Sequence, residues 1–517
     1  MNVLYRNFFL CNKEGLWNMG VKDGIIEFLE GDSSFNRDLI NFSRIYDLER
    51  GYLLPGFSDP HMHFSIFSIF VLSVVDLNNI KSIEELKGKV KQDIKDTITV
   101  GWGFDHEIFK EKRLPTIDDL DEVSTEIPII IYRFDGHLCV VNSKLLEICN
   151  INRESINPEG GIIGRFDDGR LNGILLETAI PTKTILNIPE ILNSLKDNFL
   201  VSQEILLSLG ITSVSDMGIG FNTLKVYRDL EKSGKIKIRI SLYLDEECLQ
   251  YPQRVMEELN YGDLVRIKGI KIIADGTLGS KSAALFDSYS DDPGNKGFLR
   301  IPIEKLTKYI CKADEMGLQV SVHAIGDRAL SEVINAFSKV KNRELRHRIE
   351  HIQICNDDLL NKLKEMDIVA VIQPIFIKSD LLWAESRLGK DRVNNSYRLK
   401  SLIDKKIVVA ASSDCPVETA APFLGIFFSV SHRDLEDREF PEWVKRERIT
   451  IEDAIKLYTE GAAFALSEKK GKIEVGQIAD FIVLPENPLK IGIERIKDLN
   501  VLKTIINGEP VYPAENA

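Results

Sequence analysis

From residue 200 to residue 414 the spacing of apolar residues switches back and forth between two periods. LVSQEILLSLGITSVSDMG (200–218) begins with apolar positions at helical spacing, stops at Gly210 and continues as a β-branched run. LTKYICKADEMGLQVSVHAIGD (306–327) repeats the design: an amphipathic helix, Gly317, then the strand QVSVHA. NDDLLNKLKEMDIVAVIQP (356–374) and SLIDKKIVVAASSD (401–414) follow the same order. Helix, short turn, apolar strand and polar residues at the strand's C-terminal end make a βα unit, and several in series predict a parallel sheet. IVVAA (407–411) is apolar without alternation, as expected of a strand covered on both faces. The number and length of the units predict a (β/α)8 barrel, whose functional residues gather at the C-terminal ends of its strands.

Both ends of the chain read differently. NVLYRNFFLC, KEGLWNMGVKDG and IIEFLEGD near the start are short apolar runs broken by turn residues, as are GKIEVGQIADFIVL and VLKTIINGEPVY near the end. Neither end is long enough to bury a core alone. The expectation is one small β-sandwich assembled from residues 1–55 and 466–517, around a barrel spanning 56–465. Residues 80–195 break the βα alternation with GWGFDHEIFKEKRLPTIDDLDEV, IPIIIYRFDGHLCVVNS and GGIIGRFDDGRLNGILLETA. They are expected to form an inserted α+β segment over the barrel mouth.

Composition narrows the function. The 517 residues carry a net charge of −13, which argues against a nucleic-acid partner and against anionic membrane surfaces. The apolar stretch 64–75, about 12 residues, is too short to span a bilayer. The N-terminal residues lack the apolar core and small-residue cleavage site of a signal peptide. Seven cysteines, scattered and without CxxC spacing, form no disulfide framework or zinc ribbon. A cytoplasmic protein with a small-molecule substrate is expected, and a homodimer is the default assembly.

The eight histidines are where the chemistry concentrates. His61 and His63 follow a Pro-Gly turn, and residues i and i+2 of an extended chain share a face, so both imidazoles can meet one metal ion. His323 ends the strand SVHA and His351 ends RIEH. Taken singly, each reads as well as a core histidine bonded to backbone. Four of eight histidines at strand ends favour a metal, and imidazole suits zinc, iron or nickel. Asp414 ends the strand in AASSDCP; its bland role is a helix cap, its functional one a metal ligand and proton acceptor. Lys271 lies inside the apolar run IKGIKIIADG, where burying an ammonium is costly. Either CO2 converts it to a carbamate that bridges two metals, or Asp275 pairs with it. Asp327 and Arg328 follow His323 and are candidates to orient its ring, as is Asp275 near Lys271. His137 and Trp102, in the insertion, are candidate substrate contacts, and Glu177 an outside one. His106 reads as a turn residue, and His347 and His432 receive no role. Cys415 lacks an adjacent histidine base and is disfavoured as a nucleophile.

Together these residues resemble the amidohydrolase superfamily. GFSDPHMHF, GIKIIADGTLGSKSAAL, VSVHAIGDRAL, RIEHIQ and SSDCPV resemble its family 3 branch, which includes N-substituted formamide deformylases and proteins named as exoenzyme regulators. GWGFDHEIF, LPTIDDLD, FDGHLCVVNS and NGILLETA in the insertion match as well, and GKIEVGQIADFIVL matches the family's β-sandwich segment. The resemblance implies two divalent ions, zinc by mild preference. His61, His63 and Asp414 would hold one and His323 and His351 the other, with carbamylated Lys271 between them. It implies hydrolysis of a non-peptide C–N bond, in an amide, N-substituted formamide or related compound, by a metal-activated hydroxide with Asp414 as general base. The alternatives are a single-metal deaminase of the same superfamily and a barrel kept for regulatory binding.

Overall fold

The computed structural model describes residues 2–36, 42–71, 74–95, 98–158, 160–259 and 262–513. Eight parallel strands form the central sheet: β1 (Phe57–Asp59), β2 (Ile211–Ile219), β3 (Arg239–Asp245), β4 (Val265–Ile273), β5 (Gln319–Ala324), β6 (Arg348–His351), β7 (Val369–Ile372) and β8 (Val409–Ala411). Each pairs in parallel with the next in this order. Their residues are buried almost throughout, which is why they read as unbroken apolar runs. Helices such as Phe221–Lys232, Ile303–Glu315, Asp327–Phe337 and Asp357–Glu365 follow or precede these strands and turn an apolar face to the sheet.

The sheet is nearly closed, and the gap between β8 and β1 is bridged just past the strand ends. The backbone N–H of Asp414 donates to His61 O at 2.8 Å, and that of His63 donates to Cys415 O at 2.8 Å. The buried Asp59 carboxylate accepts the backbone N–H of Ser413 at 3.2 Å and its hydroxyl at 2.5 Å. The first and last strands are therefore locked together at the point that carries His61, His63 and Asp414.

The turn chemistry expected of the βα units is in place. Gly210 and Gly317 follow the helices Pro189–Ser208 and Ile303–Glu315 with φ of +79° and +72°, the left-handed stop that glycine adopts without a Cβ penalty. Asn356 caps the helix Asp357–Glu365 by accepting the N–H of Leu359.

Strands from the two chain ends share one further sheet of eight strands. The strand Tyr52–Pro55 pairs antiparallel with Phe481–Leu484, and the N-terminal strands Asn2–Leu10, Leu16–Lys22 and Ile25–Gly31 continue from there. Asp480 fastens this sheet to the barrel: it is fully buried and accepts from Arg239 at the start of β3 at 2.9 Å, with the Lys470 ammonium 3.3 Å away. A third sheet of six strands runs from Val75–Asp76 to Leu171–Glu177 and packs around its own apolar cluster, with Leu145, Ile130 and Val141 at its centre.

Candidate metal centre

His61 and His63 follow β1, Lys271 lies on β4, His323 on β5, His351 closes β6 and Asp414 follows β8. These residues are remote in the chain and meet at the C-terminal mouth of the barrel. Ring centroids are 5.8 Å apart for His61 and His63, 5.0 Å for His61 and His351, and 4.4 Å for His323 and His351. Lys271 Nζ lies 3.2 Å from His61 Nε2.

Each imidazole is anchored through one nitrogen. His61 Nδ1 sits 2.5 Å from Glu350 Oε2, and His63 Nδ1 lies 3.2 Å from Met217 O. His351 Nδ1 meets Gln373 Oε1 at 2.7 Å, and His323 Nε2 meets Gly276 O at 3.1 Å. A ring N–H that donates to an oxygen fixes the tautomer and leaves a lone pair on the opposite nitrogen. For His61 and His63 that nitrogen is Nε2, and both Nε2 atoms lie 3.3 Å from Asp414 Oδ1. Asp414 Oδ1 is buried and has no hydrogen-bond partner among the described residues. Three electron-pair donors thus lie within 4.8 Å of one another. Such a set suits a divalent cation, and the residues present fit one.

Electrostatics agree with ligation. Burial, reinforced by neighbouring positive charge, depresses His323 well below its ordinary value, and burial brings His351 down to about 3. Both rings are neutral at physiological pH, as a ligand must be. Burial also lowers Lys271 to about 8, although Glu350 and Asp414 oppose the shift. More of the amine is then unprotonated at neutral pH than in an ordinary lysine, and the unprotonated form can attack CO2.

The backbone is strained at two of these positions. His351 has φ of +74° and Asp414 φ of +59°, left-handed values that cost a non-glycine residue about 1–2 kcal/mol. Strain of this kind persists where surrounding structure enforces it, and it gathers at functional sites.

The remaining candidates fall into two groups. His137 lines the cavity above the metal-ligand set, its ring centroid 5.3 Å from that of His323. Its Nδ1 lies 2.8 Å from the buried Glu177 carboxylate, which also accepts the Ser282 hydroxyl at 2.6 Å. Asp275 stands beside His323 rather than pairing with Lys271. Its Oδ1 is 3.5 Å from His323 Nε2, and its oxygens accept the N–H groups of Ile325, Gly326 and Ala284. It therefore fixes the loop that leaves β5. Asp327 accepts instead from the N–H groups of Phe286 and Arg328, at 3.0 and 2.9 Å, and does not reach His323. Arg328 follows it into the helix without contacting a ligand ring. The chain enters the helix Asp327–Phe337 at this point, and Asp327 directs its carboxylate to the backbone of Phe286 and Arg328 instead of to His323. The Trp102 ring packs tilted against Tyr132, centroids 5.3 Å apart, among the apolar residues of the six-stranded sheet, and does not line the cavity that His137 lines. His347 is held between the Val320 N–H and Asp314, away from the mouth. Burial pushes the Cys415 thiol well up, which removes it as a nucleophile.

Glu350 was missed. It is fully buried and holds His61 through Oε2, while Oε1 accepts from Ser321 Oγ at 2.7 Å and forms an ion pair with Arg348 Nε at 2.7 Å. The signal was present in RIEH: two charged residues in a four-residue strand buried on both sides need each other or a site. Glu350→Gln should lower metal affinity by roughly 10–100-fold, measured by titrating metal-free protein against a chelating dye. An unchanged affinity would show that His61 needs no orientation.

The amidohydrolase family model matches residues 44–512. The chain belongs to the amidohydrolase family. It falls among the family 3 members, in keeping with the local words that first pointed there. It is 32% identical to YtcJ of Bacillus subtilis, named as an amidohydrolase, over 95% of both chains. It is 23% identical to the N-substituted formamide deformylase of Arthrobacter pascens, covering 90% of this chain and 89% of that one. A crystal structure of an uncharacterized metal-dependent hydrolase from Pyrococcus horikoshii OT3 superposes with a TM-score of 0.80 at 30% identity, covering 95% of this chain and 99% of that one. This amidohydrolase is thus a metal-dependent hydrolase with a candidate site at His61, His63 and Asp414. No helix among its described residues is long and apolar enough to cross a membrane.

Proposed function

We propose that this amidohydrolase hydrolyses a non-peptide C–N bond in a small amide, with N-substituted formamides as the leading class, at a site of two divalent ions. The observation that carries the reading is the convergence of electron-pair donors at the barrel mouth, with Asp414 Oδ1 lacking any hydrogen-bond donor among the described residues. His61, His63 and Asp414 would hold one ion, and His323 and His351 the other. Lys271, as its carbamate, would complete the set, and its lowered pKa supports that modification. Zinc suits the nitrogen-rich ligand set. The ions, when bound, lower the pKa of a water molecule and polarise the substrate carbonyl.

The chain's own residues do the rest. Glu350, Met217 O, Gln373 and Gly276 O keep the four imidazoles in one tautomer and one orientation. Asp414 takes the proton of the attacking water as the new C–O bond forms. It passes that proton to the leaving nitrogen as the C–N bond breaks. His137, held by Glu177 on the cavity wall, contacts the bound amide. A cytoplasmic enzyme, with the two chain ends folded as a β-sandwich beside the barrel, completes the reading.

The test is a panel of N-substituted formamides, simple amides and cyclic ureas, offered to protein loaded with zinc or manganese. Turnover of at least one class is expected, lost on chelation and restored by metal. Turnover unaffected by chelation, or none across the panel, would overturn the reading. One ion per chain with turnover of an amino-heterocycle would support the single-metal deaminase instead.

A further inference from the structure

We propose that the substrate cavity contains a subsite for a positively charged nitrogen, built on Asp380; the inference rests on the hydrolase reading above. The substrate is then an amide whose far end carries an ammonium or guanidinium group.

Asp380 closes the short helix Ile377–Asp380 that follows β7. It is 5% exposed and lines the same cavity as His137, His323, His351 and Asp414. All its hydrogen-bond donors are neutral. Its Oδ2 accepts the Tyr397 hydroxyl at 2.5 Å and the Gln353 amide at 3.1 Å, while Oδ1 receives only the Ser379 hydroxyl at 3.4 Å. The neighbouring carboxylates are matched by cations or imidazoles. Asp135 is paired with Arg133 at 2.9 Å, Glu418 with Lys378 at 2.8 Å, and Asp414 with the histidines. Among the described residues, no cationic group lies within ion-pair distance of Asp380. A carboxylate buried without a counter-charge is costly. Burial accordingly pushes Asp380 up to about 7, so that a cation delivered by the substrate would hold it ionised.

A second observation concerns Trp383, three residues further on. Its ring lines the same cavity, it is 8% exposed, and its Nε1 has no hydrogen-bond partner among the described residues. A carboxylate without a cationic partner and an indole N–H without an acceptor therefore line one cavity. Phe376 adds a second aromatic surface there. Aromatic faces beside a carboxylate attract ammonium and guanidinium groups, through the ring quadrupole as well as through charge.

The experiment separates this inference from the hydrolase reading, because it measures binding as well as turnover. Calorimetry on the metal-loaded full chain compares pentylamine with pentanol, ligands alike in shape and different in charge. The wild-type protein should bind the amine about tenfold or more tightly than the alcohol. Asp380→Asn should abolish that ratio, and Asp380→Ser provides a second neutral replacement should the first fail to fold. In turnover, the same variants should remove any preference for a formamide bearing a terminal ammonium over its neutral isostere. No preference in the wild-type protein, or a preference that survives both variants, overturns the proposal. A charge-dependent preference without turnover of any amide would retain the subsite and sink the hydrolase reading alone.

Discussion

Asp414→Asn is expected to reduce kcat/KM for the amide substrate by roughly 10³-fold or more, with the fold intact by circular dichroism. Two losses combine. The amide cannot accept the proton of the attacking water, and its oxygen is a weaker metal ligand than a carboxylate oxygen. Asp414 Oδ1 lies 3.3 Å from both His61 Nε2 and His63 Nε2, so the variant should also lose metal at the first of the two positions. Steady-state kinetics at saturating metal separates the effects. If excess metal restores most of the activity, Asp414 is a ligand only and the proton goes elsewhere.

Lys271→Ala is expected to have an effect of similar size. The proposed carbamate would add negative charge beside the bound metal, and losing it would withdraw several kcal/mol of charge stabilisation, or roughly 10³-fold in rate. The deletion leaves a space the size of a short carboxylic acid beside His61, Glu350 and Asp414. Added acetate or propionate should enter that space and return part of the activity, in proportion to its concentration. Full activity without rescue would mark Lys271 as a buried amine held near His61 and nothing more.

The parts of the site that follow from local spacing were legible in the chain. His61 and His63 share a face because they are two residues apart, and His323, His351 and Asp414 each stand where an apolar run gives way to polar residues. The βα alternation brings those ends to one rim. What was not legible depends on pairs distant in sequence. Glu350 meets His61 across 289 positions and Asp380 meets Tyr397 through a cavity wall, and neither contact has a local signature. Asp327 next to His323 suggested an orienting partner. The chain turns into a helix there, and Asp275, 48 positions earlier than His323, takes the place beside the ring. Trp102 was expected to touch substrate, and its ring packs against Tyr132 within its own sheet instead. The left-handed backbone at His351 and Asp414 is likewise set by tertiary packing, since neither residue type demands it.

Anomalous diffraction from crystals of metal-loaded protein tests the central claim most directly. The account predicts two peaks at the barrel mouth, roughly 3.5–4 Å apart. One should touch His61, His63 and Asp414, the other His323 and His351, with density for a carbamate on Lys271 reaching both. A mouth without anomalous signal, or with one ion and an unmodified Lys271, would contradict it.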